Sequence, residues 1–105
     1  MRGVANLCHV PFFAVRRGEA INMPDGGAVW DHFGAAIGAY RRAAGVETWK
    51  RLETDTRQLG EHSVFASVHW NALDGSGKVV RDTWTSYRLV ASSEGWRLLS
   101  YTNHF

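Results

Sequence analysis

Three strand-like runs follow one another at the end of this chain, with short turns between them. They extend from Gly60 to Ala72, from Lys78 to Ser92 and from Gly95 to Phe105. Apolar and polar residues alternate along the runs, as they do in β-strands. The pattern predicts an antiparallel meander, and a long curved meander packed behind one helix forms a cup with room for a ligand.

The first part of the chain predicts two short strands followed by a helix. The strands are Val10 to Arg16 and Ala20 to Met23, at hairpin distance from each other. Apolar residues then recur at intervals of three and four from Ala28 to Ala44, and Gly45 is a typical helix stop. The sequence therefore predicts an α+β fold, in which a strongly curved, mostly antiparallel sheet wraps around one main helix.

Between the helix and the meander, starting at Val46, residue types alternate with a period of two, as they do in a β-strand. One face of this strand is rich in charged residues, includes Trp49 and is predicted to face water. The other face includes Leu52 and is small, β-branched and mildly apolar. Such a face is expected for a strand that lines a cavity or lies at the edge of a sheet.

The composition is that of one domain over residues 1–105. Hydrophobic residues make up 45% of the chain, with five Trp, five Phe and three Tyr, which is ample for one core. The net charge is only +2 and the basic residues are scattered, so nucleic-acid binding is not predicted. No apolar run approaches the ~18 residues of a membrane span. The single cysteine, Cys8, excludes an intrachain disulfide and favours a cytoplasmic location.

Neither face of the predicted meander is cleanly polar. Apolar residues on both faces indicate that one side meets the helix and the cavity while the other meets a second layer. The simplest second layer is another copy of the chain, so we predict a homodimer through the outer face of the sheet. His69 and Trp70 alternate, and we assign Trp70 to the helix side and His69 to the outer or dimer face.

Several short motifs accompany this order of elements. The last strand opens on Gly95-Trp96-Arg97-Leu98-Leu99, and Asp74-Gly75-Ser76-Gly77 forms the hairpin before the penultimate strand. Val10 to Val15 is followed by Asn22 to Gly26. Together these features resemble the NTF2-like superfamily, which includes ketosteroid isomerase, SnoaL-like and limonene epoxide hydrolase families. The resemblance covers roughly residues 9–105 and implies a cone with a pocket between helix and concave sheet.

The chain also departs from that superfamily in two respects. Its members normally begin with a long helix that closes the mouth of the cone, whereas about nine residues precede the first predicted strand here. Either the start is truncated or the cone is open and covered by another subunit. The stretch Cys8 to Pro11 also offers no Asp where the general base of an isomerase is expected.

Three residues are candidates for acid–base chemistry. His104 shares a face with Trp96 if the last strand is regular, and the resemblance implies that this face looks into the cup; the alternative is a histidine at a fraying strand end. Tyr87 could donate to a ligand carbonyl, or be a core tyrosine bonded to backbone. Asp82 could be a desolvated general base if it turns inward, or a surface or interface ion pair.

Aromatic residues are more numerous than a small core requires, so some are predicted to line an apolar pocket. The candidate ligand-binding residues are Trp30, Phe33, Tyr40, Trp70, Thr85, Trp96 and Thr102. Asp31 and His32 are assigned only a favourable interaction with the helix dipole. The histidines lack the spacing of a metal site, and neither a metal nor a cofactor is predicted.

The leading interpretation is a protein that binds a small, largely apolar molecule. Isomerase, cyclase or hydrolase activity by acid–base chemistry is left open. The alternative is a non-catalytic module that binds a peptide or partner protein in the same cup. A cavity large enough for a ligand favours the first interpretation, and a filled cup with a large exposed apolar patch favours the second.

Overall fold

The computed structural model describes residues 7–104. From Cys8 to His104 the chain forms six strands and one helix. In chain order these are β1 (Cys8–Arg16), β2 (Glu19–Met23), α1 (Gly26–Ala44), β3 (Thr48–Gln58), β4 (Ser63–Leu73), β5 (Val79–Ser92) and β6 (Gly95–His104). Every predicted element is present, and the ends differ from the prediction by no more than three residues. The predicted end of the last strand at Phe105 lies outside the described residues.

All six strands belong to one sheet, in the order β2-β1-β6-β5-β4-β3. Neighbouring strands are antiparallel except β1 and β6, which are parallel. This parallel pair brings the early hairpin against the last strand, where Ala14 pairs with Tyr101 and Arg16 with Asn103. The prediction of an α+β fold with a curved, mostly antiparallel sheet around one main helix is confirmed.

Helix α1 has well-formed caps at both ends. The Asp25 carboxylate accepts a hydrogen bond from the backbone N–H of Ala28 at 2.8 Å, as an N-cap residue does. Gly45 ends the helix with φ of 68°, a left-handed conformation that glycine adopts without steric penalty. Arg41 and Arg42 lie in the last turn, where positive charge is favourable to the helix dipole.

The hydrophobic core lies between α1 and the hairpin of β1 and β2. Its buried members are Cys8, Phe12, Ala14, Met23 and Val29. The ring of Phe12, which is 1% exposed, lies 5.9 Å from that of Phe33 and 6.0 Å from that of Tyr101. Because α1 packs chiefly on β1 and β2, a space is left between the helix and the rest of the sheet.

A bulge in β6 changes which of its side chains face the helix. We call the sheet face toward α1 the inner face and the opposite one the outer face. Leu98 and Ser100 pair with adjacent residues of β5, so Leu99 is an extra residue. Leu98 and Tyr101 both pack against the core, one on each side of this bulge. The regular alternation expected for the last strand is therefore wrong, because one inserted residue shifts its parity.

Strand β3 lies at the edge of the sheet, and all of its residues are exposed. It pairs with β4 and has a bulge at Leu52. The expectation that Trp49 lies on a wet, charged face is wrong. The ring of Trp49 meets that of Tyr40 on α1 edge to face, with centroids 5.2 Å apart, and this places it on the inner face.

Candidate functional site

A cavity of about 370 Å³ lies between helix α1 and the inner face of the sheet. Its lining comes from the helix and from all six strands: Ala14, Arg16, Ile21, His32, Phe33, Ala36, Ile37, Tyr40, Trp49, Trp70, Thr83, Thr85, Tyr87, Tyr101 and Asn103. The cavity opens to solvent at Ile37 and Trp49, which are 40% and 36% exposed. A smaller cavity of about 260 Å³ adjoins it there. The main cavity has the size of a small-molecule site.

The walls of this cavity are mostly apolar and aromatic. Phe33 and Tyr101, which also pack on the core, have ring centroids 5.7 Å apart. At the mouth, the guanidinium of Arg81 lies 5.3 Å from the centroid of the Tyr40 ring, which is a cation–π distance. Rigid rings packed against a curved sheet do not fill all the space between helix and strands, which accounts for the cavity.

A polar contact inside the cavity joins the helix to the last strand. Nε2 of His32 and the hydroxyl of Tyr101 are hydrogen-bonded to each other. Burial, and then the positive charge of Arg16, lower the pKa of His32, so its imidazole is neutral at neutral pH. Burial raises the pKa of Tyr101 to about 12, so its phenol keeps its proton. The pair combines a potential proton acceptor with a hydrogen-bond donor.

A row of polar residues crosses three neighbouring strands at the cavity. Arg16 on β1 pairs in register with Asn103 on β6, which pairs with Thr85 on β5. The buried Thr85 hydroxyl donates to Oδ1 of Asn103 at 3.0 Å, which leaves the side-chain NH₂ of Asn103 as a donor. At neutral pH, Arg16 is the one formally charged side chain among the described residues that line the cavity.

Five of the residues predicted to contact a ligand or act on it line the cavity. They are Phe33, Tyr40, Trp70, Thr85 and Tyr87. Nε1–H of Trp70 donates to the Tyr87 hydroxyl oxygen at 3.3 Å, and burial raises the pKa of Tyr87. Tyr87 is therefore a neutral phenol whose own proton can be donated elsewhere. The roles of these five residues toward a ligand stay predictions.

His104 and Thr102 lie on the outer face, away from the cavity. Nε2 of His104 is 2.8 Å from the hydroxyl of Ser86, a β5 residue whose neighbours in sequence, Thr85 and Tyr87, line the cavity. The expectation that His104 and Thr102 look into the cup is wrong. The extra residue in β6 turns Tyr101 and Asn103 inward in their place.

Asp82 also lies on the outer face, in a polar cluster with His69 and Glu53. Its Oδ1 is 2.5 Å from Nε2 of His69, whose Nδ1 is 3.7 Å from Oε1 of Glu53. The imidazole of His69 stacks on the Trp84 ring with centroids 4.7 Å apart and planes within 6°. Asp82 therefore lies at the surface of the sheet, as one alternative expected, and not in the cavity as an inward-facing general base. His69 lies on the outer face and Trp70 in the cavity, as expected.

Trp30 and Trp96 are not among the described residues that line the cavity. Each is 43% exposed. Trp30 belongs to α1, and Trp96 lies beside the turn that opens β6. The expectation that these two rings line the pocket is wrong, because bulk and aromatic character alone do not determine which side of an element a residue occupies.

Several residues of the site were not predicted from the sequence. His32 is four positions before Ala36 and eight before Tyr40, so helical periodicity could have placed it on the cavity side. Arg16 lies two positions after Ala14 on β1 and therefore on the same face of the strand, so the alternation of strand residues could also have placed it on the cavity side. Tyr101 could not be placed without knowledge of the bulge in β6.

No three His, Cys, Asp or Glu side chains among residues 7–104 come together in a way that could hold a metal ion. Cys8 is buried, and burial raises the pKa of its thiol to about 11. A protonated, buried thiol is poorly nucleophilic, which fits a structural role. In the part of the chain that the structure describes, no helix is long and apolar enough to span a membrane.

Solved structures similar to this one define the fold class. A proposed ketosteroid isomerase from Shewanella frigidimarina superposes with a TM-score of 0.71 at 16% identity, over 96% of this chain and 78% of that one. An NTF2-like protein with a cystatin-like fold from Novosphingobium aromaticivorans gives 0.73 at 14%, over 96% and 66%. The association domain of CaMKII from C. elegans gives 0.60 at 14%, over 95% and 76%. These similarities establish an NTF2-like, cystatin-like cone.

The family follows from the sequence. Residues 1–105 match the model of the family described as NTF2-like protein (DUF6841). The chain therefore belongs to this NTF2-like family, and the resemblance inferred from its element order and short motifs is confirmed. A search of the curated proteins found no match.

Proposed function

We propose that this protein binds a small, largely apolar molecule in the cavity between α1 and the inner face of the sheet. The observation that carries the proposal is a cavity of about 370 Å³ with aromatic walls and a few polar groups, which is the usual composition of a small-molecule site. Transfer of an apolar ligand from water into the cavity is favourable by roughly 25 cal/mol per Å² of apolar surface buried.

In this proposal the polar part of the ligand contacts His32 and Tyr101. With Nε2–H of His32 donating to the Tyr101 oxygen, a phenol, either Tyr101 or Tyr87, donates a hydrogen bond to a ligand oxygen, and Nδ1 of the neutral His32 imidazole accepts a proton from the ligand. That would be acid–base chemistry of the isomerase, cyclase or hydrolase kind. The contact between a neutral imidazole and a protonated phenol supports this assignment in preference to one that involves His104 or Asp82.

A second candidate function is the binding of a peptide or partner protein in the same cup. The observation that favours it is the exposed apolar mouth, where Ile37 and Trp49 are 40% and 36% exposed. One of the similar structures is an association domain. A partner segment held at the mouth would depend on these exposed side chains more than on the interior of the cavity.

The homodimer and the cytoplasmic location remain part of the proposal. Phe65 and Trp84 on the outer face are 41% and 38% exposed and would be covered by a second copy. Sedimentation is expected to give twice the chain mass of 11.8 kDa. Trp84→Glu should shift the protein toward the monomer, while Trp30→Glu, which changes an exposed tryptophan on the helix, should not. A monomer at all concentrations would contradict the dimer.

Fluorescence of N-phenyl-1-naphthylamine, a neutral apolar probe, tests ligand binding. Ala36→Phe places a ring in the cavity, and Ala39→Phe places the same ring on the exposed side of the helix. Wild type and Ala39→Phe should bind the probe with similar affinity, and Ala36→Phe at least tenfold more weakly. Equal binding by all three proteins, or no binding by any, would contradict a ligand site in the cavity. Binding that Ala36→Phe leaves unchanged but that is lost on truncation of Ile37 or Trp49 at the mouth would instead favour the peptide-binding function.

A further inference from the structure

A series of hydrogen bonds crosses three strands on the inner face of the sheet and ends at Asn103. Nε1–H of Trp70 on β4 donates to the Tyr87 oxygen on β5 at 3.3 Å. The side chain of Tyr87 is hydrogen-bonded in turn to that of Thr85 on the same strand. The Thr85 hydroxyl donates to Oδ1 of Asn103 on β6 at 3.0 Å. All four residues line the cavity.

This series of bonds has one direction. The indole of tryptophan can only donate, and a hydroxyl group has a single proton to give. Because the proton of Thr85 goes to Asn103, the phenol of Tyr87 donates to the Thr85 oxygen. Each oxygen of the series therefore accepts a hydrogen bond. The group left over is the NH₂ of Asn103, which has no acceptor in the part of the chain that the structure describes.

We propose that Asn103 selects the chemical class of the ligand, which is an uncharged carbonyl compound whose oxygen accepts a hydrogen bond from the Asn103 NH₂ group. The inference rests on the proposed function and specifies its ligand. Tyr101, two positions before Asn103 on β6, lines the same cavity and can supply a second donor, its phenol. A carbonyl oxygen has two lone pairs and no proton, so it matches a wall that presents donors.

The same arrangement disfavours an alcohol beside Asn103. The hydroxyl of an alcohol could accept from the NH₂ group, but its own proton would then need an acceptor. The neighbouring oxygens of Thr85 and Tyr87 each accept a hydrogen bond already. A buried donor without an acceptor is costly, because its bonds to water are not replaced. The acceptor that remains, Nδ1 of His32, belongs to α1, and an alcohol bound there would not use Asn103.

Thr85 is a positioning residue in this inference. It is 5% exposed, so water competes little for its bond to Oδ1 of Asn103. The bond holds the amide in the orientation that presents its NH₂ group to the cavity. Without the Thr85 hydroxyl the amide could rotate by half a turn and present its oxygen instead, which would favour a ligand that donates.

Two probes with the same carbon skeleton test this preference: the ketone 4-phenylbutan-2-one and the alcohol 4-phenylbutan-2-ol. Their dissociation constants are measured by isothermal titration calorimetry at neutral pH with the full chain. Wild type should bind the ketone about tenfold more tightly than the alcohol, because only the alcohol leaves a buried donor without an acceptor.

Substitutions at Asn103 and Thr85 should change this ratio in different ways. Asn103→Leu removes the donor and should weaken the ketone about tenfold while leaving the alcohol within about twofold. Asn103→Asp keeps an acceptor for Thr85 but replaces the NH₂ group by an oxygen that only accepts, so it should reverse the preference. Thr85→Val should reduce the preference for the ketone at least threefold. A change in packing alone would weaken both probes alike.

Matched controls use an asparagine outside the cavity. Asn22 is exposed on the edge strand β2, and both Asn22→Leu and Asn22→Asp should retain the wild-type ratio. Circular dichroism establishes that each variant is folded. In the wild type, the side-chain amide signals of Asn103 in ¹⁵N NMR spectra should move on addition of the ketone and much less on addition of the alcohol. This measurement needs no variant to fold.

Each outcome bears on the inference or on the proposed function. Equal affinity for both probes, Asn103 variants that still prefer the ketone, or Asn103 amide signals that the ketone leaves in place would overturn the inference. Failure of the ketone to bind would also overturn it. In these cases, binding of N-phenyl-1-naphthylamine leaves the proposed function standing. Loss of all binding, including that of the naphthylamine, would overturn both.

Discussion

His32 on helix α1 and Tyr101 on strand β6 are hydrogen-bonded to each other inside the cavity, although 69 positions separate them in the chain. The bond connects the helix to the strand that pairs in parallel with β1. It therefore links the two sides of the cavity and places a polar contact among its aromatic walls.

The contact between His32 and Tyr101 should contribute measurably to stability. Tyr101→Phe keeps the ring that packs on Phe12 and Phe33 and removes only the hydroxyl. We expect it to lower the free energy of unfolding by about 1 kcal/mol. Urea denaturation measures this loss. The control is Tyr40→Phe, which removes a hydroxyl from the same cavity and should lower the free energy of unfolding by less than about 0.5 kcal/mol.

A double-mutant cycle isolates the pair. If the two side chains interact, the His32→Phe/Tyr101→Phe protein loses less stability than the two single variants together, with a coupling of about 0.5 kcal/mol or more. Strict additivity of the two losses would show that the hydrogen bond does not stabilise the fold.

Stability should depend on pH through His32. Its pKa is lowered in the folded protein, chiefly by burial. As pH falls below the ordinary value of 6.5, the unfolded chain binds a proton before the folded one, so the free energy of unfolding decreases. The loss is complete below the folded-state pKa and absent well above pH 6.5.

Urea denaturation across this range, compared with His32→Gln, measures that contribution. The wild-type curve should fall more steeply than the variant curve as the solution is acidified. Parallel curves, or an NMR titration of the His32 ring at or above its ordinary pKa, would contradict a buried neutral imidazole.

The core beside the cavity should be far more sensitive to truncation than the outer face. Phe12 is 1% exposed and Phe65 is 41% exposed. Phe12→Ala should lower the free energy of unfolding by about 3–5 kcal/mol or prevent folding, whereas Phe65→Ala should lower it by less than about 1 kcal/mol. Circular dichroism during urea denaturation compares them. Similar losses for the two substitutions would be inconsistent with the position of the core.

The stability of the first turn of α1 should depend on the side chain of Asp25, which accepts a hydrogen bond from the N–H of Ala28 at 2.8 Å. Asp25→Ala is expected to lower the free energy of unfolding by about 1 kcal/mol, and Asp25→Ser by much less, because serine also caps helices. Thermal unfolding of both variants provides the comparison. An alanine variant as stable as the serine one would exclude a capping role.

The elements of the fold could be predicted because their signals are local. Val29, Phe33, Ile37 and Tyr40 mark the helix by spacing alone, and the turn residues Asp74 to Gly77 mark a hairpin. The family resemblance could be inferred because it depends on the order of such elements. Neither inference requires knowledge of which residues touch.

The inner side of the last strand could not be predicted, because it depends on pairing with a distant strand. The extra residue Leu99 is recognised only from the register of β6 against β5. It determines that Tyr101 and not His104 faces the cavity. His32 is a different case, since its helical position was available from the sequence, but a polar residue near a helix start is equally well explained by the helix dipole.

The position of a bound neutral ligand tests the central claim most directly. Aromatic ¹³C NMR spectra of the protein with saturating 4-phenylbutan-2-one report on both faces of the sheet at once. We expect the largest shift changes at Phe33, His32 and Tyr101 in the cavity, and small ones at Phe65 and Trp84 on the outer face. Largest changes on the outer face, or none at saturation, would contradict a ligand site between the helix and the sheet.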